Sequence, residues 1–181
     1  FMHCSREMRY IDKDGVRGVL LPYEGEEFYF FALLPDEDTD VREYIDALDG
    51  DALDALLASA KTGNVALALP KFKARYEDSL VNELAKLGMQ SAFNPASADF
   101  SRMSAARAKD LYISEVLHKT FCNVDELGTE AAAVTSVEMR LTAFMPPEGV
   151  EIVFDRPFLY GIADAQWNLP LFLGIMENPA S

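Results

Sequence analysis

ELGTEAAAVTSVEMRLTAFM, residues 126–145, is the stretch whose reading decides the fold. It follows a strand-like run and ends at Pro146-Pro147, and from Thr129 onward it holds neither Gly nor Pro. At period two, one face is Thr129, Ala131, Ala133, Thr135, Val137, Met139 and Leu141. The other is Glu130, Ala132, Val134, Ser136, Glu138 and Arg140. Side chains alternate across a strand, so the segment can lie in a sheet with one face covered and one mostly polar. The inward set begins small and ends large, which suits a strand that must slide between two others. A helix is the competing reading: alanine and glutamate favour one, and Gly128 or Thr129 can cap it. Local propensity does not separate the two, so the neighbours must.

Upstream, Leu111 to Asp125 reads as one long extended segment, with Tyr112, Val116 and Phe121 as its apolar anchors. Downstream, Val150–Phe154, Phe158–Ala163 and Leu169–Met176 read as short strands. Toward the start, residues 6–14 are polar and lead to a turn at Asp14-Gly15. Val16–Tyr23 and Phe28–Leu34 are β-rich runs joined through Glu24-Gly25-Glu26. FYFFALL, residues 28–34, is apolar on both faces, as in a strand covered on both sides.

Two short helices follow, on the stripes Val41, Tyr44, Ile45, Leu48 and Leu53, Leu56, Leu57. Gly50-Asp51 separates them, with Asp51 as the cap. Thr62-Gly63-Asn64 reads as a turn before the strand Val65–Leu69, and Pro70 interrupts that strand. Phe72–Tyr76 resumes an extended path. A third helix is capped by Asp78 or Ser79, lined by Leu80, Leu84 and Leu87, and ended by Gly88. No repeat, linker or low-complexity tract divides residues 1–181.

Composition bounds the function. The 181 residues suffice for one domain with a real core, and the net charge of −14 argues against nucleic acid and anionic membranes as partners. The acidic run Asp36, Glu37, Asp38, Asp40 reads as a solvated helix start and not as a cation site. No apolar run approaches the roughly 20 residues that span a bilayer. FMHCSREMRY, residues 1–10, is not a signal peptide, and Phe1 reads like the middle of an element. Cys4 and Cys122 form no disulfide framework, though they could bridge. His3 beside Cys4, and His118 four residues before Cys122, are too few for a structural metal site. A Cys/His nucleophile pair is conceivable there, with buried structural residues the simpler reading. No Ser/His/Asp constellation, phosphate loop or metal cluster points to an enzyme, and no cofactor is implied.

HKTFCNVDELGTEAAAVT, residues 118–135, closely resembles the hinge segment of serpins, a family of protease inhibitors. FDRPFLYGI (154–162) and LPLFLGIMENP (169–179) resemble that family's C-terminal signature and last strand. VLLPYEG, FALLPDE, ALPKFKARYEDSLVNELAKLGM and ADFSRMS match it in the same order upstream, so the resemblance covers nearly the whole chain. It implies an α+β fold of mostly antiparallel and mixed sheets with a few helices. It also implies that residues 1–181 are the C-terminal portion of one serpin domain, with the N-terminal half absent and apolar surface left bare.

The resemblance further implies a reactive loop at about residues 126–147 and an irreversible, suicide-substrate mode of action. A serine protease, with cysteine proteases a further class, cleaves the loop and is trapped as an acyl-enzyme while the loop inserts into the central sheet. The hinge residues carried over are Glu126, Gly128, Thr129, Glu130, Ala131, Ala132 and Ala133. Residues Thr129 to Leu141 would add a strand of about 40–45 Å. No proline removes a donor and no charge sits on the entering face. Leu127 departs from the family's polar residue, and Val134 is larger than its usual alanine but faces outward. Family spacing from Gly128 puts the reactive bond at Thr142-Ala143, whose small side chains suit an elastase-like protease. Arg140-Leu141 would suit a trypsin-like enzyme, and Phe144-Met145 a chymotrypsin-like one. The alternative is a non-inhibitory serpin, a carrier or simple substrate with an inert loop. Either form implies a secreted or extracellular protein.

Overall fold

The computed structural model describes residues 1–103, 108–125, 128–129 and 149–179. The chain divides into two compact units, Phe1–Phe72 with Asn123–Ser181, and Lys73–Cys122.

The larger unit is built on a seven-stranded sheet in the order β10-β9-β3-β2-β1-β4-β8. Its strands are β1 (Met2–Lys13), β2 (Val16–Pro22), β3 (Phe28–Pro35), β4 (Lys61–Leu69), β8 (Val150–Val153), β9 (Phe158–Asp164) and β10 (Pro170–Met176). Every pairing is antiparallel except β4 with β8, which is parallel. The β1–β2 connection is the two residues Asp14 and Gly15, with φ of 52° and 76°. Two consecutive positive φ values match the right-handed twist of a hairpin. The turn is tied down because the Asp36 amide donates to the Gly15 carbonyl at 2.8 Å.

β3 is the strand that FYFFALL predicts. It lies between β2 and β9, and Tyr29 through Pro35 are all buried. On one face Tyr29, Phe31 and Leu33 join Ile11, Val16, Leu20 and Leu159 under the helices α1 (Val41–Ala47) and α2 (Gly50–Ala58). The helices contribute Leu53, Leu56 and Leu57, with Tyr44, Ile45 and Leu48 at the margin. On the other face Phe30 stacks against Tyr160, and Phe154, Phe158 and Phe72 extend the aromatic layer edge to face. Arg156 closes the corner before β9, donating through Nε and Nη2 to the Pro35 carbonyl at 3.1 and 2.9 Å.

Several expectations are corrected. The cap of α2 is Asp49, whose carboxylate accepts from the Ala52 amide; Gly50 and Asp51 are already its first turn. Asp40 caps α1, so the acidic run does serve a helix start. Thr62-Gly63-Asn64 is no turn but part of β4, paired with Arg9, Met8 and Glu7 of β1. A Cβ at Gly63 would lie 3.0 Å from the Tyr10 ring, so glycine there answers close packing and not a bend.

The smaller unit holds most of β5 (Phe72–Ser79) and of β6 (Leu117–Asp125), and between them α3 (Val81–Leu84) and α4 (Gln90–Phe93). The expected third helix is present: it starts at Val81 and stops at Gly88, as its sequence predicts. Residues Ala85–Met89 continue it as a wider helical turn whose one non-helical residue is Gly88, with φ 107°, and Leu87 is 82% exposed. Neither Asp78 nor Ser79 caps it. The Asp78 carboxylate is occupied by the Tyr76 hydroxyl and the Ser79 amide. The long extended segment is also shorter than its pattern. Residues 111–116 are outside any strand, and Tyr112 and Phe121 stay about half exposed. No helix among the described residues is long and apolar enough to cross a membrane.

Candidate functional site

The stretch read as a hinge follows β6 in sequence. β5, β6 and a two-residue strand, β7 (Gly128–Thr129), form a three-stranded sheet in that order. β7 runs antiparallel to β6, with Val124 opposite Thr129 and Asp125 opposite Gly128. Gly128 and Thr129 thus start a new strand along the edge of β6. Within the stretch 126–145, strand is described at Gly128 and Thr129.

Burial along β6 shows what such a strand meets. Cys122 and Val124 are buried, whereas Phe121, Asn123 and Asp125 between them are not. Opposed residues of an antiparallel pair point to the same side of the sheet. Asn123 Nδ2 donates to Asp125 Oδ2 at 3.2 Å, at the end of β6. Burial pushes the Cys122 thiol up to about 11, so it is a neutral packing group at ordinary pH.

Of the hinge residues read from sequence, Gly128 and Thr129 are placed, as backbone, beside β6. Glu126 and Glu130 through Ala133 lie outside the described residues, as do Arg140, Leu141, Thr142 and Ala143 and the face alternation from Glu130 onward. The chain is described again from Gly149 and enters β8, where Val150 to Val153 pair with Val65 to Ala68.

The cysteine and histidine candidates separate. Both cysteines are free thiols, Cys4 exposed and Cys122 buried. Burial raises the Cys4 thiol, and nearby Arg6 partly opposes it. His118 is exposed on β6 with its ring 6.3 Å from that of Tyr76. Four residues of strand separate His118 from Cys122 by about 13 Å, too far for a nucleophile and its base. The Tyr76 phenol is pushed up mainly by its hydrogen bond to Asp78. Among the described residues no three His, Cys, Asp or Glu side chains converge.

Sequence reasoning missed one arrangement on the solvent side of β5 and β6. Lys119 pairs with Glu77 at 2.8 Å, and the Arg75 guanidinium sits 5.5 Å from the centre of the Phe121 ring. The signal was present in the alternation of Lys73, Arg75 and Glu77, which becomes meaningful only once β6 is placed beside it.

Comparison with known proteins agrees with this geometry. The family model for "Serpin (serine protease inhibitor)" matches residues 1–179. The leukocyte elastase inhibitor of Equus caballus is 37% identical over 176 residues, covering 94% of this chain and 45% of the relative. The thermophilic serpin tengpin in its native state is 42% identical with a TM-score of 0.81, covering 96% of this chain and 45% of tengpin. Its latent state gives 41% and 0.77, covering 97% and 46%. The chain thus spans less than half the length of the relatives it matches. The resemblance extends from the first strand through the hinge to the last, and the chain belongs to the serpin family.

Proposed function

We propose that the protein carrying this chain is a suicide-substrate inhibitor of serine proteases, and of elastase-like enzymes first. The observation that carries this reading is the antiparallel start of β7 on β6. A loop strand that kept this register on insertion would set Ala131 opposite Cys122 and Ala133 opposite Thr120. The small residues Thr129, Ala131, Ala133 and Thr135 would then fall on the side where β6 is buried, and Glu130, Ala132 and Val134 on the open side. A strand that enters between others meets least resistance when its covered face is small and uncharged.

In this mechanism the protease serine oxygen attacks the Thr142 carbonyl carbon. The bond to the Ala143 nitrogen breaks, the new amine leaves with a proton, and Thr142 remains esterified to the enzyme. Insertion of residues 130–141 beside β6 competes with hydrolysis of that ester. The small side chains at Thr142 and Ala143 support an elastase-like target, in line with the names of leukocyte elastase inhibitors among the relatives.

The test mixes the full-length protein separately with elastase-like, trypsin-like and chymotrypsin-like proteases. A complex that survives a denaturing gel, with a released peptide beginning at Ala143, is the expected outcome. A peptide beginning at Leu141 would move specificity to Arg140. Cleavage with no trapped complex would overturn inhibition in favour of a substrate or carrier.

A further inference from the structure

The outer strand of the three-stranded sheet carries a charge pattern that the inhibitory reading does not use. β5 places Lys73, Arg75 and Glu77 at alternate positions, hence on one face. Lys119 and Phe121 of β6 reach the same face, since one pairs with Glu77 and the other lies under Arg75. Arg75, Glu77, Lys119 and Phe121, with Tyr76 and Thr120, line an open groove of about 400 Å³.

Lysines on an exposed edge often serve only to repel other strands. Two features here go further. Lys119 is held by Glu77, and Arg75 rests on an aromatic ring, so both cations are positioned before any ligand arrives. Arg75 also has no carboxylate partner among the described residues. A guanidinium stacked on a ring keeps its planar donors available for an incoming carboxylate. In addition, β5 has β6 on one side and no strand on the other among the described residues, which leaves backbone groups open for pairing.

We propose that this edge binds an extended acidic peptide segment of a partner protein, added as a strand beside β5. Alternate residues on a strand are about 6.6 Å apart. Carboxylates two positions apart therefore meet Lys73 and Arg75 in step, while the segment's backbone pairs with β5. The net charge of −14 sharpens the choice, because an acidic segment is repelled by most of the surface and attracted at this face. The proposal is independent of loop insertion, which uses the opposite edge of β6.

The test uses the full-length protein and a fluorescent peptide of alternating Val and Glu, followed by anisotropy at an ionic strength of about 0.15 M. Comparison ligands are a peptide of the same composition with the Glu residues in one block, an alternating Val–Lys peptide, and a heparin fragment. Saturable binding of the alternating acidic peptide alone is expected. The Lys73→Glu/Arg75→Glu variant should weaken it roughly tenfold or more, and Thr129→Arg should leave it unchanged. Arg75→Gln, which removes the charge without reversing it, serves where the double variant fails to fold, and should weaken binding several-fold. Equal binding of the block peptide, preference for heparin, or affinity that survives the Arg75 variants would overturn the proposal.

Discussion

Gly161 lies directly across from Phe31 in the β9–β3 register, and the Phe31 ring fills the space a side chain at Gly161 would need. A Cβ built there falls 2.6 Å from that ring, which is itself fully buried. Gly161→Ala should therefore destabilise by about 1–3 kcal/mol, the usual cost of overpacking a tight core. Gly50, at the start of α2, has nothing within 4 Å of such a Cβ. Gly50→Ala should stabilise by roughly 0.5–1 kcal/mol by restricting the unfolded chain. Denaturant melts of the two variants should move in opposite directions.

The β6–β7 register makes the proposed insertion testable by alternation. Ala131→Arg places a charge on the covered side and should turn inhibitor into substrate, with the trapped fraction falling about tenfold or more. Ala132→Arg, one residue on, faces the open side and should leave most of the trapping intact. Equal effects from the two would rule out a strand in this register.

Asp99 offers a pH test confined to the smaller unit. Its carboxyl is held down to about 2, first by the hydrogen bond with Lys109 and then by those with Ser101. The Lys109 ammonium lies 2.8 Å away. A depressed carboxylate favours the folded state above its unfolded value near 4 and loses that contribution as pH falls toward 2. An NMR titration of the Asp99 carboxyl should show a midpoint near 2 that rises toward the ordinary range in Lys109→Ala. The pair is exposed, so global stability should hardly change.

The two thiols should react at very different rates. Cys122 is 3% exposed and its thiol is pushed up to about 11, whereas Cys4 is exposed on β1. Near pH 8 a thiol reagent should modify Cys4 first and reach Cys122 only on unfolding. Peptide mass mapping after a short pulse would decide it. Rapid labelling of Cys122 would mean that this face of β6 opens in the native state.

What the sequence carried and what it hid divide along physical lines. β3, the Asp14-Gly15 turn and the α2 stripe were legible because each is a local pattern: two apolar faces, two residues suited to positive φ, a 3.6-residue period. The cap at Asp49 was missed because the following glycine looked like a separator, although a cap needs only to stand before the first helical amide. Gly63 was misread as a turn because its reason, the Tyr10 ring, lies on another strand. The cap of the third helix was misread for a similar cause: Asp78 spends its carboxylate on Tyr76 and Ser79. At the hinge, composition showed that a strand was possible. Only the register with Val124 and Asp125 showed which edge it begins on.

The parallel pairing of β4 with β8 has a mechanical consequence. Beyond the loop the chain is held by β8 along β4, by β9 along β3 and by β10 along β9. A cut anywhere between residues 130 and 148 would leave that downstream piece moored on both flanks of one sheet. Severing the backbone there makes two polypeptides but still one particle. The nick should be invisible to size-exclusion chromatography and plain on a denaturing gel, and the upstream end it frees would no longer be tied to the downstream strands.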